Sequence, residues 1–431
     1  MDKQILDVLE SQNPWWFGRE FTSGVDRLDS YPRLREYLKA PEIMLILGVR
    51  RGGKSTIAYQ LVKKLLMEDV PAKSILYMNL DEPILENKSD DPVFLRETIG
   101  EHMSHNPKED KYYIFVDEVQ LNNHWAHTAK VIYDTEKKAK LILTGSTSTL
   151  IQSEGSTRLS GRYFQTTIYP LTFTEYLRFR GANKPTRTET RLHFEEYLKY
   201  GGFPRVVLEE STSLKEDLLK NYYQAIYMRD IILPKKIKNN KELFDLLYYI
   251  ISNPGKQFSY KKVGEILGMD TKTVQEYINH AEEAYLLTTT TKYDKSVRKQ
   301  AANQKKIYCA DTGLINAVSF RFREEKGRLL ENLTHQALKR RYDNIYYHKG
   351  QHECDFLVKE GLKITQAIQV TLTMKDPETK TREMKGLLEA METHKLKEGL
   401  IITENENRTI TIDGKKITVK PAHQWLLENT Q

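Results

Sequence analysis

Cysteine is almost absent: Cys309 and Cys354 are the only two in 431 residues. That excludes a disulfide framework, and two thiols suit a reducing compartment. Long hydrophobic runs are missing too. No apolar stretch approaches the ~20 residues that a membrane span requires. The start, Met1-Asp2-Lys3-Gln4-Ile5, lacks the basic-then-apolar build of a secretory signal. The expectation is a cytoplasmic protein with no membrane partner. Nor does one sign of charge dominate: 66 basic against 59 acidic residues leave a net charge of +7. That permits a polyanionic partner without establishing one. With 39% hydrophobic and 29% charged residues the composition is that of a soluble globular chain, and the length suggests roughly three domains.

What is present centres on Ile43 to Met67. Ile43-Met44-Leu45-Ile46-Leu47 is a short apolar run suited to a buried parallel strand. Gly48-Val49-Arg50-Arg51-Gly52-Gly53-Lys54-Ser55 follows and fits G-x-x-x-x-G-K-[ST]. Beyond it Ile57, Leu61, Val62, Leu65 and Leu66 recur at helical spacing. Glycines let the backbone wrap a polyphosphate, whose charge meets backbone N–H groups and a helix N-terminus. A glycine-rich turn with a chance lysine is the bland alternative, and the strand and helix on either side argue against it. The cofactor-binding candidates are Gly48, Arg50, Arg51, Gly52, Gly53, Lys54, Ser55 and Thr56, with ATP and Mg²⁺ as the implied cofactors. Lys54 would reach the β/γ-phosphates and Ser55 would ligate the metal.

Upstream, Asn13-Pro14-Trp15-Trp16 reads as a packing anchor for an N-terminal arm, an exposed binding use being the alternative. Downstream, Ile75 to Leu80 reads as a second strand and Tyr112 to Val116 as a third, running into Asp117-Glu118. Carboxylates at the C-terminal end of such a strand lie beside the nucleotide. Asp117 would hold the Mg²⁺ shell and Glu118 would orient or deprotonate water; a solvated acidic turn is the competing reading. The extra strand between the two motifs suggests a sheet of the additional-strand, catalytic-glutamate type. Lys140 to Leu143 ends in Thr144-Gly145-Ser146, where Thr144 or Ser146 could contact the γ-phosphate or the water. Arg158 and Arg162 precede a fifth strand, Tyr163 to Ile168. They could stabilise transition-state charge in cis or from a neighbouring subunit, or be ordinary surface arginines. From Leu171 to about Tyr248 the pattern is helical. Within it Gly201-Gly202-Phe203-Pro204 is a break that either brings Pro204 to the base or sugar or is a simple turn.

These residues carry a resemblance. The double-arginine P-loop, Phe115-Val116-Asp117-Glu118-Val119-Gln120 and Leu143-Thr144-Gly145-Ser146 resemble a prokaryotic family of AAA+ ATPases. So do Gly161-Arg162 before Pro170-Leu171-Thr172-Phe173-Thr174-Glu175, Gly201-Gly202-Phe203-Pro204 and Arg229-Asp230. In that family the core is followed by a winged helix and a C-terminal domain resembling PD-(D/E)xK nucleases. The resemblance therefore implies an α/β fold: AAA+ P-loop core over 1–170, helical lid over 171–240, winged helix over 241–318, and a small α/β restriction-endonuclease-like domain over 319–431. It also implies a homo-oligomer, since such cores place an arginine at a neighbour's nucleotide.

The winged helix is also legible directly. Leu243 to Ile251 and Phe258 to Leu267 are helical, Gly268-Met269-Asp270 turns, and Asp270 would cap a helix from Thr271. Val274, Tyr277 and Ile278 would pack inward, leaving Lys272 and Gln275 outward where a recognition helix meets the major groove. Leu286 to Thr291 and Ile307 to Ala310 would flank a wing carrying Lys292, Lys295, Arg298, Lys299, Lys305 and Lys306 against Asp294 alone. Lys272, Gln275, Lys295, Arg298 and Lys299 are the DNA-binding candidates, a protein-contact module being the alternative. In the C-terminal segment the resemblance points to Glu331 on a helix, Asp355 on a strand and Gln369 on the next. Where E-x-K would stand there is Gln369-Val370-Thr371, losing a carboxylate and the lysine. Lys363 or Lys375 would have to reach in, so a degenerate nuclease site is expected. Three functions are then in play: an ATPase that moves or remodels DNA, a slow nucleotide-gated switch holding a protein partner, and an ATP-dependent nuclease.

Overall fold

The computed structural model describes residues 2–106, 109–148, 150, 159–319 and 326–429. Two compact units emerge, Met1–Tyr169 with Glu283–Tyr285, and Pro170–Glu282 with Leu286–Gln431. The expected boundary at 170/171 lies next to this break. Those at 240/241 and 318/319 fall inside the second unit.

In the first unit, β1 (Ile43–Leu47), β2 (Ile75–Asn79), β3 (Tyr112–Asp117), β4 (Ala139–Gly145) and β5 (Tyr163–Thr167) form one parallel sheet in the order β2-β3-β4-β1-β5. Every residue of β1 is buried, as a central strand covered on both faces must be. Ile43, Leu45 and Leu47 join one core with Ile114, Val116 and Leu143. Met44 and Ile46 join the other with Ile57, Leu61 and Leu65 of the helix that follows the loop. Each such side chain contributes about 1.5–3 kcal/mol by burial. β4 lies between β1 and β3, the spatial form of the additional strand.

β2 is an edge strand, and an unpaired edge is a liability that the N-terminal arm removes. Asn13 pairs with Tyr77 through both its amide atoms, at 2.6 and 2.8 Å. The Trp15 and Trp16 indoles donate to the Ile75 carbonyl at 3.2 and 2.8 Å. The tryptophan pair is thus a packing anchor. Trp16 stacks on His102 at 5.1 Å.

The second unit opens with helices (Phe173–Phe179, Arg187–Tyr200, Pro204–Leu208, Thr212–Ala225, Asn240–Ile251). Then come β6 (Gln257–Phe258), helices Tyr260–Leu267 and Thr271–Glu283, and an antiparallel pair, β7 (Leu287–Lys292) with β8 (Lys305–Cys309). The segment joining β7 to β8 includes a short helix, Val297–Ala302. Helix Lys326–Arg341 leads into β9 (Ile345–Lys349), β10 (Glu353–Glu360) and β11 (Lys363–Val370); helix Pro377–Thr393 precedes β12 (Glu398–Thr403), β13 (Arg408–Ile412) and β14 (Lys415–Pro421). All nine strands form one sheet, β13-β14-β12-β11-β10-β9-β7-β8-β6. The bridge across the expected 318/319 boundary is β7 beside β9, Thr291 opposite Tyr346. Among the described residues no helix is long and apolar enough to cross a membrane.

Two buried histidines make stability pH-dependent. Burial holds His102 down to about 4 and His335 to about 3. Both therefore fold neutral and take a proton on unfolding at mild acid. At these two sites the unfolded chain binds more protons below about pH 6.5, so the histidines' contribution to stability is full above that value and falls with pH. A carboxyl that burial raises, such as Asp311, contributes in the opposite sense. From pH 6.5 to 5 the expected loss is about 1.5 kcal/mol for each histidine. Thermal unfolding across this range checks it, and a His102→Gln variant that keeps the full slope would contradict the assignment.

Candidate nucleotide site and the second unit's clusters

The loop after β1 is shaped by its glycines. Gly48 adopts φ +140°, and a Cβ there would sit 2.1 Å from the Ile168 carbonyl oxygen. Gly53, at φ +103°, precedes helix Lys54–Met67 and offers no side chain as a cap. The first amides of a helix have no acceptor within the helix itself, the arrangement that suits an anion. The buried Lys54 ammonium donates to the Gly48 and Val49 carbonyls at 3.1 and 3.2 Å. One contributor was not foreseen from sequence. Arg27, buried, donates to the Gly52 carbonyl at 2.8 Å and the Tyr169 carbonyl at 3.0 Å, pinning the loop from the arm side.

Asp117 ends β3. Its two oxygens accept from the Tyr77 hydroxyl, at 2.5 Å, and from the Thr144 hydroxyl. Burial, then the Asp117 charge, raises Tyr77 far above the usual phenol range, so it stays a donor. Glu118 sits in a left-handed turn, φ +54°. Its backbone N–H donates to Thr144 Oγ1 at 3.1 Å, and Gln120 Nε2 donates both to its carboxylate and to Ser146 Oγ. Burial alone would raise the Glu118 pKa. Lys54, Arg50 and the hydrogen bonds from Gln120 and Ser146 outweigh it, so the carboxylate is held below its ordinary value. Thr144 and Ser146 therefore meet the two carboxylates, whereas the sequence points to one of them contacting the γ-phosphate or the water. Gln120 was quoted only within a motif.

Arg162 requires a correction. Its carbonyl accepts from Ile43 N at 2.8 Å, and Tyr163 stands opposite Ile43, whereas the loop leaves after Leu47 opposite Thr167. Arg162 is thus at the far end of the strands, roughly 15 Å along them from the loop. A role in cis is excluded. Its guanidinium pairs with Asp134 at 3.1 Å. Arg158 lies outside the described residues.

In the second unit Gly201 has φ +73°, and a Cβ there would collide with the Asp311 carboxylate at 1.7 Å. Asp311 accepts from Gly202 N at 2.8 Å, and burial raises its pKa to about 7. A Cβ on Gly202 would sit 2.4 Å from the Leu171 carbonyl oxygen, so packing accounts for both glycines, and Pro204 opens the next helix. Lys272 and Gln275 are exposed on helix Thr271–Glu283, with Val274, Tyr277 and Ile278 buried and Asp270 accepting from Lys272 N at 2.8 Å. Lys295, Arg298 and Lys299 are exposed too, but in and around a short helix rather than a bare loop. Lys305 and Lys306 leave the basic group: both lie in β8, and Lys306 is buried. Lys306, not Lys363 or Lys375, reaches the carboxylates of Glu331 and Asp355. Gln369 stands beside them, its carbonyl accepting from Asp355 N at 3.1 Å.

Residues 40–177 match the AAA domain family, and 191–325 match a domain of unknown function. The uncharacterized protein MJ1544 of Methanocaldococcus jannaschii is 31% identical over 409 residues, covering 90% of this chain and 88% of that one. The chain belongs to the MJ1544 family. An uncharacterized protein of Haemophilus influenzae is 27% identical over 413 residues, 94% of this chain and 99% of that one. The N-terminal unit of this family member is an AAA+ ATPase core. Solved structures with some likeness include the Aeropyrum pernix ORC1 protein in complex with DNA (12% identical, 72% of this chain and 97% of that one, TM-score 0.35). AMPPCP-bound DnaA from Aquifex aeolicus is another (14%, 62% and 91%, TM-score 0.30).

Proposed function

We propose that the protein is a Mg²⁺-dependent ATPase that binds DNA and couples ATP hydrolysis to moving or remodelling it. The observation that carries the hydrolytic half is the network joining Asp117, Thr144, Glu118, Gln120 and Ser146 beside the Lys54 loop. Lys54 and the helix N-terminus bind the phosphates. Ser55 and Asp117 would hold Mg²⁺, which would supply charge neutralisation to the bound phosphates. Asp117 fits that role, because the two hydroxyls that pin it leave each oxygen a further lone pair. Glu118, ionised, takes a proton from water, while Thr144 and Ser146 fix its geometry.

The DNA half rests on the second unit. Three helices and the β6–β8–β7 strands make a winged helix, following a helical lid over 171–240. It presents Lys272, Gln275, Lys295, Arg298 and Lys299 to solvent. Those side chains suit phosphate contact more than base reading. Removing Arg298 and Lys299 together should lower DNA affinity and flatten the salt dependence by about two units of log–log slope. ATP turnover without DNA should be unchanged. Turnover and binding measured with single-stranded, duplex and branched DNA across a salt series make the test. Wild-type affinity of the double variant at every salt would overturn the DNA reading. A nucleotide-gated switch holding a protein partner would then lead, favoured by Val297 at 79% and Ile266 at 52% exposure on the same module.

A further inference from the structure

The C-terminal half resembles a fold in which carboxylates grip a divalent metal. The residues present do not fit one. Glu331, Glu353 and Asp355 instead converge on the Lys306 ammonium, at 2.9, 2.8 and 2.9 Å. An ammonium has three N–H donors, and here each meets a different carboxylate. Each carboxylate also accepts a second hydrogen bond. Asp355 Oδ2 accepts from Val370 N at 3.0 Å, Glu331 accepts from the Tyr308 hydroxyl at 2.8 Å, and Glu353 accepts from Gln257 at 2.5 Å. Gln369, at the position of the lost carboxylate, donates its amide to Glu383. Among the described residues no three carboxylate, histidine or cysteine side chains are arranged to hold a metal ion. The cluster lines a cavity of about 300 Å³, so space alone does not keep an ion out.

We propose that Lys306 is the resident cation of this cluster, occupying the seat of a divalent metal, so that the C-terminal domain is a metal-independent, non-cleaving module. Electrostatics decides between the two cations. A dication placed among the same carboxylates would stand beside the ammonium, and like charges in a buried site repel strongly. Burial alone pulls the Lys306 pKa down, but Asp355, Glu331, Tyr308 and Glu353 outweigh it and keep the amine charged. For metal to enter, Lys306 would have to leave, and it lies on β8 between neighbours in a continuous sheet. The same contact has a mechanical consequence. Lys306 belongs to the hairpin, Glu331 to helix Lys326–Arg341, and Glu353 and Asp355 to β10. One ammonium therefore ties the β7–β8 pair to the C-terminal half.

The test compares wild type and Lys306→Ala as full chains without nucleotide, in EDTA and in millimolar Mn²⁺. Wild type should keep its melting midpoint in both, bind no Mn²⁺ that an Asp355→Asn variant fails to bind, and leave plasmid DNA uncut. Lys306→Ala, left with uncompensated buried carboxylates, should melt about 10 °C lower in EDTA and recover most of that loss with Mn²⁺. If Lys306→Ala does not fold, Lys306→Met combined with Glu331→Gln removes the cation together with one carboxylate and should fold. The wild-type arm decides without any Lys306 variant. Mn²⁺-dependent stabilisation or DNA cleavage by wild type that Asp355→Asn abolishes would overturn the proposal. So would a Lys306→Ala protein that melts like wild type and gains nothing from Mn²⁺. None of these readouts uses ATP hydrolysis, so the inference stands or falls apart from the proposed function.

Discussion

A Glu118→Gln variant should bind ATP as tightly as wild type and hydrolyse it about 10²- to 10⁴-fold more slowly. The reason is local. Glutamine keeps the shape and the acceptor oxygen that Gln120 engages, and it leaves the Thr144 bond to the backbone N–H of residue 118 untouched. Only the negative charge and the capacity to accept a proton go. Lys54 and Arg50, which hold the Glu118 carboxylate ionised, lose a counter-charge, and that change favours a bound polyanion. Lys54→Ala should do the reverse. It removes the fixed cation at the phosphates, so binding itself collapses and turnover goes with it. Titration calorimetry separates the two variants, and steady-state phosphate release gives the rates. Equal ATP affinity in wild type and Lys54→Ala would remove the nucleotide site from this loop. Undiminished turnover in Glu118→Gln would remove the general base.

What could be read in the sequence was what short-range chemistry encodes. The loop from Gly48 to Ser55 declares itself because its glycines, lysine and serine stand in one contiguous run between an apolar strand and a helix. The neighbour that requires Gly48 is nonetheless the distant Ile168. β3 and β4 were legible because apolar runs end in polar residues that only a site would place there. Helix Thr271–Glu283 was legible because its buried positions repeat at helical spacing. Lys306 was not. It looked like one more residue of a basic loop, and its partners stand 25 to 49 positions further on. Arg27 escaped for the same reason, 25 residues before the carbonyl it holds. The continuous sheet was hidden because β7 and β9 meet over only a short stretch of two otherwise separate patterns. Two misses carried a signal. Arg408 to Ile412 and Lys415 to Val419 alternate around Asp413-Gly414, both residues with positive φ, which is the pattern of a two-residue hairpin. And the place of Arg162 follows from order alone: a residue that precedes a parallel strand stands opposite the loop that follows its neighbour.

That placement gives the remaining prediction. Arg162→Ala should lower ATP turnover about 10³-fold or more, the scale of a transferred arginine, although the residue is far from the nucleotide loop of its own chain. Only a neighbouring copy could then receive it, so the protein should assemble into a homo-oligomer in which each subunit completes the next one's site. The guanidinium is free to change partners. Its pair with Asp134 is exposed on both sides, and exposed pairs hold side chains weakly. Asp134→Ala should accordingly leave turnover intact, which separates a travelling arginine from a structural ion pair. Mixing is decisive. Arg162→Ala and Glu118→Gln are each inactive alone, but a subunit lacking the arginine keeps its glutamate and can borrow an arginine from the other variant. With random assembly of equal amounts, about a quarter of the interfaces are complete, and turnover should return to about that fraction of wild type. A mixture no better than its components would exclude action in trans. So would light scattering that finds a fully active monomer in the presence of ATP and DNA.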